Sequence, residues 1–225
     1  MNISTTLKYS GDIFYPPFSD KATISPDNLV HYESNGSYLA HKTFNGTRTI
    51  IEFSPDKINL WTRDKKIHKN LNLCKSLMEQ LNQWHECLGR ESAHVIDGEM
   101  LLDKNLKKRF IAFDILVFDN EHLIGSNILE RYELLTKLMG PPDDYEKVFG
   151  NNLALEFTNY LWLAESYLFN FSNEYKRHEH VSEVQGLVLK SLKDKLKHED
   201  KEKNNENLCI HFGPNVGFEE NREII

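Results

Sequence analysis

Short β-prone runs separated by turn signals dictate most of what this chain can become. From Tyr38 onward "YLAHKTF", "TRTIIEF" and "KINLWT" follow one another, and "AHVIDGEMLLD" and "KRFIAFDILVFD" come later. Runs of this length, rich in β-branched and aromatic residues, fit strands better than helices. "NG" and "SPD" separate the first three, which predicts a meander of hairpins, because Asn-Gly tolerates the positive φ of a tight turn. Helical spacing takes over at Leu73, Leu77, Leu81, Trp84 and Leu88, ahead of a capping Gly89, and predicts a helix over 72–88. Ile128, Tyr132, Leu135 and Met139 predict a second helix, ended by "GPP". The aromatic-rich "NYLWLAESYLFNFSNEY" reads as a third, packed on a sheet. "VQGLVLK" is a buried strand, and "LCIHF" is a candidate last one. The sum is an α+β fold.

Punctuation sets the boundaries. "YPPF", "SPDN" and "ESNG" make residues 1–36 an irregular lead-in with turns, followed by one domain over 37–225. Residues 193–206, "KDKLKHEDKEKNNE", are charged with almost nothing to bury, so they read as a solvated loop. With 225 residues, 40% hydrophobic and 27% charged, the chain has ordinary globular composition and enough length for a sizeable core. It has neither a membrane-length apolar run nor the regions of a signal peptide, which predicts a cytoplasmic protein with no membrane partner. Cys74, Cys87 and Cys209 are odd in number and lack close metal spacing, against a disulfide scaffold or a zinc site; Cys74 and Cys87 read as core filling within a helix. The net charge of −7 argues mildly against a nucleic-acid binder, although a basic groove can sit on an acidic body.

Four stretches carry chemistry-bearing residues in order. "HKTFNGTR" has Lys42 ahead of Asn45, Gly46 and Arg48. "VIDGEML" puts Asp97 and Glu99 around Gly98, read as room for a ligand to approach. "FIAFDILVFD" carries Phe113 and Asp114 in an apolar strand, and "VQGLVLK" carries Gln185, Gly186 and Lys190. Each has a plain alternative: an exposed strand lysine before a turn, a turn aspartate, a core aromatic, a bulge glycine.

Taken together and in this order, residues 38–190 resemble the nucleotidyltransferase domain of ATP-dependent polynucleotide ligases and mRNA capping enzymes. That family's motifs are K-x-D-G with an arginine two residues on, here "KTFNGTR"; D-G-E; an aromatic before D-x-L, here "FDIL"; and E-G-hydrophobic-V, here "QGLVLK". "LWTRD" and "ERYELL" resemble two further family segments, and the layout is closer to DNA than to RNA ligases. The resemblance implies two antiparallel sheets flanked by helices, with an ATP cleft between them.

It also implies roles. Lys42 would attack the α-phosphate of ATP, expel pyrophosphate and hold AMP as a phosphoramidate, for transfer to a 5′-phosphate end or nick. A free lysine has a pKa of ~10.4 and is almost wholly protonated at neutral pH, so its site must destabilise the ammonium. Arg48 and Glu99 would hold the ribose, Phe113 would stack on the base, and Lys190 would meet phosphate. His41, Asn45, Gly46, Arg63 and Gln185 complete the nucleotide-binding set. Mg²⁺ or Mn²⁺ would be held by Glu99 and, weakly, Glu183, which shares a face with Gln185 on a regular strand.

Three departures stand against this. Asn45 replaces the aspartate of the first motif, Gln185 replaces the glutamate of the fourth, and the fifth motif's lysines are not apparent; Cys209 and His211 stand near their position. The family's OB-fold domain is also expected to be missing, with a protein partner in its stead. Three functions follow: a ligase or ligase-like adenylyltransferase, DNA more than RNA; a catalytically impaired module that binds a nucleotide or nucleic-acid end; and an RNA guanylyltransferase.

Overall fold

The computed structural model describes residues 7–14, 23–68, 73–102, 108–140, 154–181, 183–197 and 208–211. Two sheets form the frame. β1 (Tyr38–Phe44), β9 (Ser166–Tyr167), β10 (Val184–Ser191) and β11 (Leu208–His211) make a four-stranded antiparallel sheet in the order β11-β10-β1-β9. The second sheet contains β2 (Thr47–Ser54), β3 (Lys57–Thr62), β4 (His94–Leu102), β5 (Lys108–Phe118), β6 (Glu121–His122), β7 (Leu155–Glu156) and β8 (Leu161–Leu163). Its order is β3-β2-β4-β5-β8-β7, with β6 beside β5, and the β5–β8 pair is parallel. This is the expected α+β nucleotidyltransferase architecture, with one mixed sheet in place of two antiparallel ones.

Two helices cover one face of the larger sheet. In α2 (Lys75–Leu88) the buried Leu77, Leu81, Trp84 and Leu88 recur at intervals of three and four, and they pack on Ile51, Phe53, Ile96 and Phe110. Each such side chain contributes about 1.5–3 kcal/mol by burial. α3 (Ile128–Met139) starts in a capping box: Asn127 Oδ1 accepts the Glu130 N–H at 3.0 Å, and Glu130 Oε2 accepts the Asn127 N–H at 2.8 Å. α1 (Leu29–Asn35) and α4 (Phe171–His178) cover the smaller sheet, with Leu29, Ala40, Phe171, Leu189 and Ile210 buried between them.

Five expectations need correction. Asn45-Gly46 does not close a hairpin: β1 and β2 belong to different sheets, and this dipeptide carries the chain from one to the other. The predicted third helix is mostly strand. Its run "LWLA" is buried on both faces, pairing Leu161–Leu163 with Phe110–Ala112, and helix begins only at Phe171, after Asn170 at φ 64°. The lead-in contains α1, anchored by the buried Leu29. Of residues 193–206, those beyond 197 lie outside the described residues, but Leu196 is 5% exposed in a core cluster with Ile50, Val95, Leu116 and Val117. Its backbone also exchanges hydrogen bonds with Gly125 and Ser126, so this part is not a solvated loop. Cys74 and Cys87 are exposed and fill no core.

Candidate nucleotide cleft

The strand alternation of β1 decides which side chains share a space. His41 sits opposite Val188 on β10 and Ser166 on β9, and its Nδ1 lies 2.9 Å from Ser166 Oγ. Lys42, one residue on, points the other way, to the face of Ala40 and Tyr167 that α1 and α4 cover. There its Nζ donates to Glu165 Oε2 at 2.7 Å, with the lysine side chain wholly buried. The Tyr167 hydroxyl donates to the same oxygen at 2.6 Å, and the Tyr167 ring lies 5.7 Å from the ammonium. Burial pulls the Lys42 pKa down against the pull of Glu165. Burial also acts to raise that of Glu165, but the Lys42 charge and the two hydrogen bonds outweigh it and hold the carboxylate below its usual range. Lys42 is therefore one half of a buried ion pair behind the sheet.

The face shared by His41 looks toward the larger sheet, and there the other candidates meet. Arg48 on β2 forms a bidentate pair with Asp97 on β4, its Nε at 2.9 Å from Oδ1. Asp97 lies opposite Asp114 on β5, and Arg131 on α3 takes both oxygens of Asp114 at 2.8 and 2.9 Å. Burial raises the Asp97 pKa, with Arg48 opposing. Lys190, reaching in from β10, lies 5.4 Å from the Phe113 ring, and Arg48 lies 5.8 Å from the same ring. Burial lowers the Lys190 pKa; Asp114 and Asp97 oppose this, while Arg48 and Arg131 add to it. Burial, with Lys190 and Arg131 nearby, keeps the His41 pKa well below its ordinary value, so the ring is neutral at pH 7. Two arginine–aspartate pairs on the side of the larger sheet thus meet one lysine, Lys190, from the smaller one.

Two β-bulges aim the residues at its mouth. Across the β4–β5 pair, Gly98 faces Ala112 while Asp97 faces Asp114, which leaves Phe113 as the extra residue. Across β1–β10, Thr43 faces Gly186 while Phe44 faces Val184, which leaves Gln185 as the extra one. Gln185 Nε2 donates to Asn45 Oδ1 at 3.5 Å, so the two amides that depart from the family pattern touch each other. The Asn45 N–H donates to the Glu183 carbonyl. Gly46 N–H donates to Glu99 Oε1 at 3.0 Å, and a Cβ on Gly46 would stand 2.7 Å from the Met100 carbonyl. Burial pushes the Glu99 carboxyl up to about 7, against the Gly46 hydrogen bond and Arg48.

These residues do not fit a hard divalent ion. Among the described residues no three His, Cys, Asp or Glu side chains converge. Asp97 and Asp114 have both oxygens engaged by guanidinium groups, and the amides at 45 and 185 carry no charge. The expected pair of metal ligands, Glu99 and Glu183, is not assembled with a third.

The sequence reading missed several residues here and misread others. Arg131 lies in "ERYELL", to which the sequence reading assigned no site residue, yet it is 5% exposed and holds Asp114. Glu165 and Tyr167 were absorbed into a helix that does not form. Gly98 makes room for protein rather than ligand: a Cβ there would stand 2.4 Å from the Ile111 carbonyl and from the Phe110 ring. Arg63 is exposed in the turn after β3, one step beyond the Thr49–Thr62 pair on the ladder that carries Arg48. A signal for the facing of Lys42 was present in the spacing. In K-x-D-G the glycine follows the lysine by three positions; Gly46 follows Lys42 by four and Thr43 by three. With Arg48 two residues beyond Gly46, Thr43 occupies the lysine's slot, and its Oγ1 is buried without a hydrogen-bond partner.

Solved structures with a similar fold include a DNA ligase D and a ligase domain. A mycobacterial DNA ligase D complexed with ATP and MES superposes with a TM-score of 0.51 at 16% identity, over 78% of this chain and 54% of that one. The ligase domain of M. tuberculosis LigD gives 0.50 at 17% identity, over 77% and 53%. A protein described as Pmar-Lig_Pre. gives 0.53 at 13% identity, over 84% and 46%. The chain therefore spans about half the length of these proteins, and the likeness is one of fold. No protein-family model matches the sequence. No curated protein matches it either.

Proposed function

We propose that this protein is a nucleotide-binding module on a ligase-type nucleotidyltransferase fold, holding a purine nucleotide or the phosphorylated end of a nucleic acid between its sheets without forming a lysyl-nucleotide bond. The observation that carries this reading is the side of β1 from which Lys42 projects. An ammonium held 2.7 Å from Glu165, behind the sheet, has no lone pair to offer a phosphate in front of it. Thr43, in the slot that the family gives to lysine, has a buried hydroxyl with no hydrogen-bond partner. What remains suits binding: an aromatic ring at the rim, a neutral histidine, and cations in excess of carboxylates.

A second reading, adenylyl transfer by a DNA-ligase-like enzyme, draws on two observations. Burial lowers the Lys42 pKa, which is the direction a nucleophile needs, and a neighbour of the same fold was solved with ATP. One experiment separates the two. The purified protein is incubated with α-labelled ATP or GTP and a divalent ion, then followed by intact mass and by equilibrium binding. Reversible binding without a covalent adduct is expected. A nucleotide adduct on Lys42 would overturn the reading and restore the enzyme.

A further inference from the structure

The cleft carries its own positive charge where a bound metal would otherwise be needed. Asn45 and Gln185 meet through an amide hydrogen bond, so the Asn45 oxygen facing Gln185 is already engaged. Asp97 and Asp114 are each clasped by an arginine. Lys190, whose ammonium lies over Phe113, has no ion-pair partner within 4 Å among the described residues. A divalent cation entering here would meet Lys190 beside two arginine–aspartate pairs whose carboxylates are already engaged, and among the described residues no further set of charged oxygens to hold it. A dianionic phosphate meets the opposite situation.

From this, and resting on the nucleotide-binding reading, we infer that the cleft takes a nucleotide 5′-monophosphate as a metal-free anion, with Lys190 as the cation that receives the phosphate. The ligand class is a phosphomonoester attached to a nucleoside, which either a free mononucleotide or a 5′-phosphorylated strand end supplies. A magnesium–triphosphate complex is selected against, because its metal brings charge of the wrong sign into a cleft already rich in cations.

The test is equilibrium binding of AMP, GMP, ATP and a 5′-phosphorylated oligonucleotide, each in EDTA and in excess Mg²⁺. Monophosphate affinity is expected to agree within about twofold between the two conditions, and ATP to bind about tenfold more weakly once Mg²⁺ is added. Binding of AMP or GMP identifies the free nucleotide as the source. Binding of the phosphorylated oligonucleotide alone, with its 5′-hydroxyl counterpart inert, identifies the strand end; both outcomes support the inference. Affinity that rises with Mg²⁺ overturns it while leaving nucleotide binding intact, and absence of binding in every condition overturns both. Lys190→Met is expected to lose about tenfold in EDTA and Lys190→Arg to retain binding. An unchanged Lys190→Met variant removes Lys190 from the role. As an independent readout, Asn45→Asp with Gln185→Glu is expected to deplete free Mn²⁺ in solution where the wild type does not; wild-type depletion at one equivalent overturns the inference.

Discussion

Removing Lys42 separates a structural ion pair from a nucleophile. Its side chain is wholly buried, while that of Glu165 is 28% exposed and also held by the Tyr167 hydroxyl. Lys42→Met keeps the stem and deletes the charge, which leaves Glu165 half-buried with one partner. Losing a hydrogen bond between charged groups costs about 1.5–3 kcal/mol, and the partial exposure of Glu165 favours the lower half of that range. Lys42→Ala also removes three buried methylenes at about 0.8 kcal/mol each, so it should cost about 4 kcal/mol in all. For a chain of this length, that lowers Tm by roughly 8–16 °C. Adding Glu165→Gln to Lys42→Met should recover about 1 kcal/mol or more, because an amide tolerates the site without a cation. The assay is urea unfolding of the four proteins alongside equilibrium nucleotide binding, which should stay within about threefold of wild type in every variant that folds (a factor of three being below 1 kcal/mol). If Lys42→Met unfolds at the wild-type midpoint yet loses a covalent nucleotide adduct that the wild type forms, the ion-pair reasoning is refuted.

Glu99 sets a pH dependence. Its folded pKa of about 7 lies above the unfolded value of 4.5, so the stability tied to its proton is complete below 4.5 and lost as pH rises through 7. Glu99→Gln should flatten stability between pH 5 and 8 and raise it at pH 8 by roughly 1–3 kcal/mol, allowing for partial exposure; an unaltered slope in thermal melts would count against this. Phe113→Ala should weaken nucleotide binding by roughly tenfold to a hundredfold, the value of one stacked base, and equal affinity in a folded variant would return Phe113 to a packing role. Leu196→Ala should cost about 2–4 kcal/mol, and a denaturation midpoint indistinguishable from wild type would mean that Leu196 is not the core residue its burial makes it. Gly98→Ala should cost about 3 kcal/mol by forcing Phe110 and strand β5 aside; a neutral effect would show that the strands yield more easily than their spacing implies.

Sheet and helix content was legible wherever a period ran long enough to speak for itself. α2 and α3 announce themselves through Leu77, Leu81, Trp84 and Leu88, and through Asn127 with Glu130. The strands around Asp97 and Phe113 do so through short runs rich in β-branched and aromatic residues. What failed were the segments whose conformation is decided by distant partners. "LWLA" carries no period, and it becomes a strand because β5 offers it a parallel edge. Asn45-Gly46 has the chemistry of a hairpin, but Thr47 onward finds β4 and β3 rather than β1. In the cleft, Arg48, Phe113 and Lys190 were found from motifs and do meet. Lys42 was assigned from a motif match that has one residue too many between the lysine and the glycine, and such a match does not fix facing. Asp114 and Arg131 went unpaired in the reading because seventeen residues and a change of element separate them, and only packing of α3 on the sheet brings them together.

The placement of Lys42 behind β1 has an evolutionary consequence. On a strand, one residue is the whole distance between front and back, so the facing of this lysine turns on a single indel, apart from the amides at 45 and 185. Deleting Phe44 would shorten "KTFNG" to "KTNG" and turn the lysine through half a period into the cleft, leaving Glu165 to be neutralised afterwards. A lineage could cross that step in either direction through one in-frame codon. The charge behind the strand, rather than the motif in front of it, would then decide whether the crossing was survivable.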